Sequence, residues 1–95
     1  MSAFLVSRIK VRDPAQMKAY GAAAAPTVAA HGGEVLARGN FAEALLGTGA
    51  PHATGVIRFP DLAAIHAWFG SPEYRALTDL REAAGEMEFL VYEAL

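Results

Sequence analysis

The chain contains no cysteine, which excludes disulfide frameworks, thiol catalysis and cysteine-ligated zinc. No apolar run approaches the roughly 18 residues that a membrane-spanning helix needs. The amino-terminal run meets a charge at Arg8, so it holds no uninterrupted hydrophobic core of signal-peptide length. Charge is sparse, at 19% of residues, and the net value of -2 comes without a basic stripe. Phosphates would find little to neutralise them, so nucleic acid is not an expected partner. A soluble, cytoplasmic protein that meets neither membrane nor nucleic acid is the expectation.

Apolar residues, in contrast, are abundant. They make up 54% of 95 residues, which predicts one domain over residues 1–95 with more hydrophobic surface than its core can use. A chain this short buries only a little over about 60% of the surface its unfolded form exposes. The surplus is expected to lie on a surface that another chain covers.

Periodicity orders the elements. "AFLVSRIKV" alternates as a strand, with Ala3, Leu5, Ser7, Ile9 and Val11 on one face and Phe4, Val6, Arg8 and Lys10 on the other. Asp13 then caps and Pro14 opens a helix whose stripe carries Met17, Tyr20, Gly21, Ala24, Val28 and His31. Pro26 falls on the opposite side, where it bends the helix rather than stopping it, and "HGG" supplies a left-handed terminus. "EVLARG" reads as a second strand, "FAEALLG" as a short third strand or hairpin arm, and "TGAPHA" as a loop. "TGVIRFP" is a further strand. Asp61 caps "LAAIHAWF", with Leu62, Ile65, His66 and Phe69 inward and Trp68 on the flank. Gly70 ends that piece, Ser71-Pro72 opens another down to about Ala84, and "EMEFLVYEAL" is the last strand. The order approaches the split βαβ pattern, with helices on one face of an antiparallel sheet.

Both faces of that sheet are apolar. The last strand offers Met87, Phe89 and Val91 on one side and Leu90 and Tyr92 on the other, as the first does with Leu5 and Ile9 against Phe4 and Val6. Helices cover one face only. A second copy of the same sheet across a two-fold axis covers the other most simply, which predicts a homodimer joined sheet to sheet.

The segment "VIRFPDLAAIHAWFGSPEYRALTDLR" resembles the family called domain of unknown function 1330. Tyr20, Gly32-Gly33, Arg38-Gly39, Phe59-Pro60, Trp68, the Ser71-Pro72-Glu73-Tyr74 segment and Arg81 carry the likeness, which covers nearly the whole chain. The resemblance implies a ferredoxin-like α+β subunit, βαββαβ in order, of the dimeric α/β-barrel class. That class also holds cofactor-free monooxygenases, haem-handling enzymes, muconolactone isomerase-like enzymes and ligand-sensing domains. Two features depart from the family's pattern: Arg58 stands where a glutamate is usual, and the chain ends "YEAL" without the usual glycine.

Candidate site residues follow from position and chemistry. Arg81 shares a helical stripe with Tyr74 and Leu77, where an arginine either forks to carbonyls or to Glu34, Glu73 or Glu93, or holds an anionic ligand. His31, on the stripe of Tyr20, is either a general base or a helix-terminal cap, and no neighbouring carboxylate orients it. Trp68 either fills the junction of the two helical pieces or walls a planar ligand. Tyr74 packs its ring and directs its hydroxyl to a polar partner, while Arg8 and Arg38 alternate onto strand faces and either could line a polar spot in a dry interior. His31, His52 and His66 lack the short spacing of a zinc site, and His52 reads as solvated; no metal or cofactor is expected. Two functional readings stand: a small-molecule binding module, which the lack of any arranged proton-transfer pair favours, and a cofactor-independent enzyme acting on a small aromatic or anionic substrate. In either, Tyr20, His31, Arg38, Trp68, Tyr74 and Arg81 are the ligand-binding candidates.

Overall fold

The computed structural model describes residues 1–49 and 52–95. Its elements run β1 (Ala3–Val11), α1 (Pro14–Ala30), β2 (Glu34–Gly39), β3 (Ala53–Phe59), α2 (Leu62–Phe69), α3 (Pro72–Arg75), α4 (Thr78–Ala84) and β4 (Gly85–Glu93). The strands form one antiparallel sheet in the order β2-β3-β1-β4, so β1 and β2, joined through α1, are separated by β3. This is the ferredoxin-like α+β arrangement.

Local chemistry sets the helix ends. The Asp13 carboxylate accepts the backbone N–H groups of Ala15 and Gln16 at 3.0 and 3.2 Å, and Pro14 occupies a first-turn position whose N–H has no intrahelical use. α1 runs through Pro26, which lies on its exposed side. It closes with Gly33 N–H bonded to Val28 O and Gly32 N–H to Ala29 O, and Gly32 takes the left-handed φ of 77° that this closure requires. A Cβ on Gly33 would overlap Val28 and Phe59, so the second glycine is needed for close approach. Ser71 joins two helices: its hydroxyl donates to Trp68 O at 2.7 Å and accepts from Tyr74 N–H at 3.2 Å. The piece opened by Ser71-Pro72 is split, with α3 and α4 separated by Ala76 and Leu77.

The helices pack on the face of the sheet that presents Ala3, Leu5 and Ser7 of β1. There Leu5, Phe59, Trp68 and Tyr74 are the largest side chains to be wholly enclosed. Burying an aromatic of that size removes on the order of 200 Å² from water, about 5 kcal/mol as an upper bound. The second face carries Phe4, Val6, Val56, Leu90 and Tyr92 in cross-strand register, with the Phe4 and Tyr92 rings stacked 5.5 Å apart. Ion pairs border it, Arg58 with Glu34 at 2.9 Å and Arg8 with Glu88 at 3.7 Å. Both faces are therefore apolar, as the alternation of β1 and β4 predicted.

The structure corrects three expectations. Residues 41–47, expected as a short strand or hairpin arm, form an irregular loop, because an alanine- and glutamate-containing segment has little β preference. Leu45 and Leu46 are left almost fully exposed there. The second correction concerns α2, which turns Ile65 and Trp68 inward and leaves His66 and Phe69 exposed. Trp68, expected on the flank, is at the centre, since it brings the largest apolar surface and its N–H finds an acceptor in α1. The third is His52, which is half-buried rather than solvated. Of the predicted "TGAPHA" loop, Ala50 and Pro51 lie outside the described residues. Among the described residues no helix is long and apolar enough to cross a membrane.

Candidate functional site

A single irregularity in β2 builds the site. Val35 pairs with Ile57 and Ala37 with Val56, so Leu36 is an extra residue and the register shifts by one. Strict alternation would send Val35 and Arg38 to opposite faces. The bulge returns Arg38 to the face of Val35, beneath α1. Opposite Arg38 is Gly55, and the Arg38 stem uses the missing side chain: its Cγ lies 3.7 Å from where a Cβ on Gly55 would stand.

Between α1 and this part of the sheet is a cavity of about 130 Å³. Its walls include Leu5, Ile9, Met17, Ala24, Val28, Ile57, Met87 and Phe89, with Tyr20 and Trp68 from the helices and Val35 and Arg38 from β2. The polar side chains on its walls are engaged elsewhere, with one exception. The Ser7 hydroxyl donates to Gly55 O at 3.3 Å and that of Thr54 to Ser7 O at 2.8 Å. Trp68 Nε1 donates to Thr27 Oγ1 at 3.0 Å, and the Tyr20 hydroxyl lies 2.6 Å from that of Tyr74. Among the described residues that line the cavity, only the Arg38 guanidinium has neither a hydrogen bond nor an ion pair.

Behind Tyr20 runs a chain of polar groups. Arg81 Nη1 donates to the Tyr74 hydroxyl at 3.2 Å, and that hydroxyl meets Tyr20. Burial pushes the Tyr20 hydroxyl far above the usual tyrosine range, and its hydrogen bond to Tyr74 pushes it further. At Arg81, burial works against the charge, but the bond to Tyr74 and the coulombic attraction of Tyr74, Tyr20 and Glu82 outweigh it, and the guanidinium pKa is raised. The Arg81 guanidinium also lies 5.8 Å from the centre of the Phe69 ring. Neither Tyr20 nor Arg81 changes charge near neutral pH. The chain is a fixed scaffold of donors, not a proton shuttle.

The model of the family described as domain of unknown function (DUF1330) matches residues 2–95. The chain belongs to that family. No functionally curated protein matches it. Among solved structures, a protein of unknown function from Rhodopseudomonas palustris is similar over 99% of this chain and 82% of its own, with 23% identity and a TM-score of 0.79. SnoaB, a cofactor-independent oxygenase from Streptomyces nogalater, covers 99% of this chain and 93% of its own at 17% identity and a TM-score of 0.73. A dimeric ferredoxin-like protein of unknown function from Thermobifida fusca covers 99% and 92%, at 17% identity and a TM-score of 0.63. At these identities the likeness is one of fold.

In this DUF1330 chain the candidate residues do not line one pocket. Tyr20, Arg38 and Trp68 meet at the cavity below α1. Tyr74 is behind Tyr20, and Arg81 opens onto a separate cleft of about 430 Å³ with Arg12, Phe69 and Glu86. Its sequence-predicted partners Glu34, Glu73 and Glu93 are not used; Tyr74 and, at 3.7 Å, Glu82 take their place. His31 is at an outer cleft with Pro26 and Glu73, its Nδ1–H donating to Thr27 O at 3.0 Å. This is the helix-terminal cap that was one of its two readings. Arg58, the departure from the DUF1330 pattern, is on the second face, paired with Glu34 and away from the cavity. Sequence reading missed Gly55, Ser7 and Thr27. The pairing register that sets Gly55 opposite Arg38 has no local sequence signal.

Proposed function

We propose that this DUF1330 chain is a homodimeric small-molecule binding protein. Each subunit takes a small, largely apolar ligand into the cavity between α1 and the sheet. The observation that carries this reading is the cavity itself: about 130 Å³, walled by aliphatic and aromatic side chains, with no carboxylate or imidazole among its described lining residues. A cavity of about 150 Å³ is known to hold benzene, and this one is close to that size, the scale of a single ring. Proton abstraction needs a base within reach of the substrate, and the Tyr20 hydroxyl, held protonated by burial, does not supply one at neutral pH. That observation favours binding over the cofactor-independent oxygenase reading, which rests on likeness of fold to SnoaB at 17% identity. The dimer is supported by the apolar second face, bordered by ion pairs, and by the dimeric Thermobifida fusca protein of the same fold.

Trp68 is the only tryptophan and lines the cavity, so its emission reports occupancy directly. Titration with small apolar compounds of one ring, followed by Trp68 fluorescence, is expected to saturate. Ala24 also lines the cavity and is buried, so Ala24→Leu fills the space that the ligand would use. Saturable binding that survives Ala24→Leu in a folded protein would place the ligand elsewhere and overturn the proposal.

A further inference from the structure

We infer that the ligand of this cavity is a compact apolar carboxylate, such as a monocyclic aromatic acid, with its ring among the apolar walls and its carboxylate on Arg38. The inference rests on the binding role proposed above and names its ligand class. Three observations converge on it. The interior holds about one ring's volume. The hydrogen-bonding side chains of its walls other than Arg38 already have partners within the protein, so the interior selects by shape and apolarity alone. The remaining polar group is a guanidinium without an ion-pair partner among the described residues, brought to this face by the β2 bulge and given room by Gly55.

One guanidinium matches one monoanionic, planar carboxylate, which it can meet with two parallel N–H donors. A phosphate dianion would need more donors than this wall offers. An amine would meet like charge. Arg38 is exposed, so its attraction for the anion is screened by salt, and the preference for acids over neutral analogues falls as ionic strength rises.

Amide chemical shifts of the full-length protein, titrated with benzoate, benzamide and toluene, test this. Wild-type protein is expected to bind benzoate about tenfold more tightly than benzamide, with shifts centred on Gly55 and Ile57. In Arg38→Met, which keeps the apolar stem and breaks no internal hydrogen bond, that advantage disappears; in Arg38→Lys it is partly retained. Equal binding of benzoate and benzamide at Gly55 and Ile57 would overturn the carboxylate assignment and leave the binding role standing. An advantage that persists in Arg38→Met would remove Arg38 from the site. Shifts from none of the probes would overturn the binding role and this inference together.

Discussion

Replacing Tyr74 with phenylalanine removes one oxygen and leaves two groups short of a partner. The Tyr74 hydroxyl is 2.6 Å from that of Tyr20 and accepts from Arg81 Nη1 at 3.2 Å, in a side chain that is 1% exposed. Without it the Tyr20 hydroxyl is buried and unpaired, which costs about 1–3 kcal/mol. Arg81 loses less, because its side chain is 19% exposed and water replaces the lost acceptor; about 0–1 kcal/mol suffices there. Together the loss is about 1–4 kcal/mol, which for a domain of this length lowers Tm by roughly 5–30 °C. Tyr20→Phe keeps the bond from Arg81 to Tyr74 and costs about 1 kcal/mol.

The double variant is the sharper test. With both hydroxyls gone neither is left unpaired, so Tyr20→Phe combined with Tyr74→Phe costs less than the sum of the single changes, by about 1 kcal/mol or more. Urea midpoints at one fixed protein concentration measure all four species, since dimerisation makes apparent stability depend on concentration. Single costs that add in the double variant to within about 0.5 kcal/mol would show that the two hydroxyls are not energetic partners, and would refute the polar chain as a unit.

Alkaline pH tests the same chain differently. Burial, then the bond to Tyr74, raises the Tyr20 pKa above its ordinary 10.0, so the folded state holds that proton more tightly than the unfolded state does. The resulting stability is complete below about pH 10 and declines as pH rises beyond it; Tyr20→Phe is expected to flatten this alkaline limb in urea midpoints taken across it. At the second sheet face, Val6→Glu places a charge in each half of the expected interface and is expected to weaken dimerisation at least about a hundredfold while sparing the subunit fold. Sedimentation at micromolar concentration measures it, and a wild-type protein that sediments as a 10.0 kDa particle would end the dimer reading. Gly33→Ala forces a Cβ into Val28 and Phe59 and is expected to cost about 1–3 kcal/mol, read as a lowered thermal midpoint.

The fold was legible because its signals are short-range. Alternation in β1 assigned Leu5 and Phe4 to opposite faces without knowledge of any partner strand, and the same period in β4 separated Phe89 from Leu90. Asp13, Asp61 and Ser71 each cap the helix they precede, because a side-chain oxygen reaches N–H groups only two or three residues away. Orientation of α2 was less legible. Over so few residues an apolar stripe is wide, and the acceptor that lets Trp68 bury its large ring at the centre, Thr27, is 41 positions away in sequence.

The candidate site was legible in its residue types and not in its grouping. Tyr20 was legible from its place on the stripe of the first helix, and Trp68 only as a large aromatic on a flank, either filling the helix junction or walling a ligand. Arg81 drew attention as a charge on a core-facing stripe, yet the structure commits it to Tyr74, and a guanidinium already bonded has less to offer an anion. Arg38 drew less attention because simple alternation gives no reason to prefer it to Arg8 or Arg58. Those two are paired on the second face, with Glu88 and Glu34, whereas the extra residue at Leu36 turns Arg38 away from them and onto Gly55. A bulge is a property of two strands in register, and one strand's sequence does not contain it. Deleting Leu36 removes the extra residue but leaves Arg38 opposite Gly55, so the register itself is tested by exchanging neighbours: Ala37→Arg with Arg38→Ala places the cation opposite Val56 on the second face and is expected to abolish any preference of the cavity for acids, and a preference that survived the exchange in a folded protein would show that the register does not position the cation.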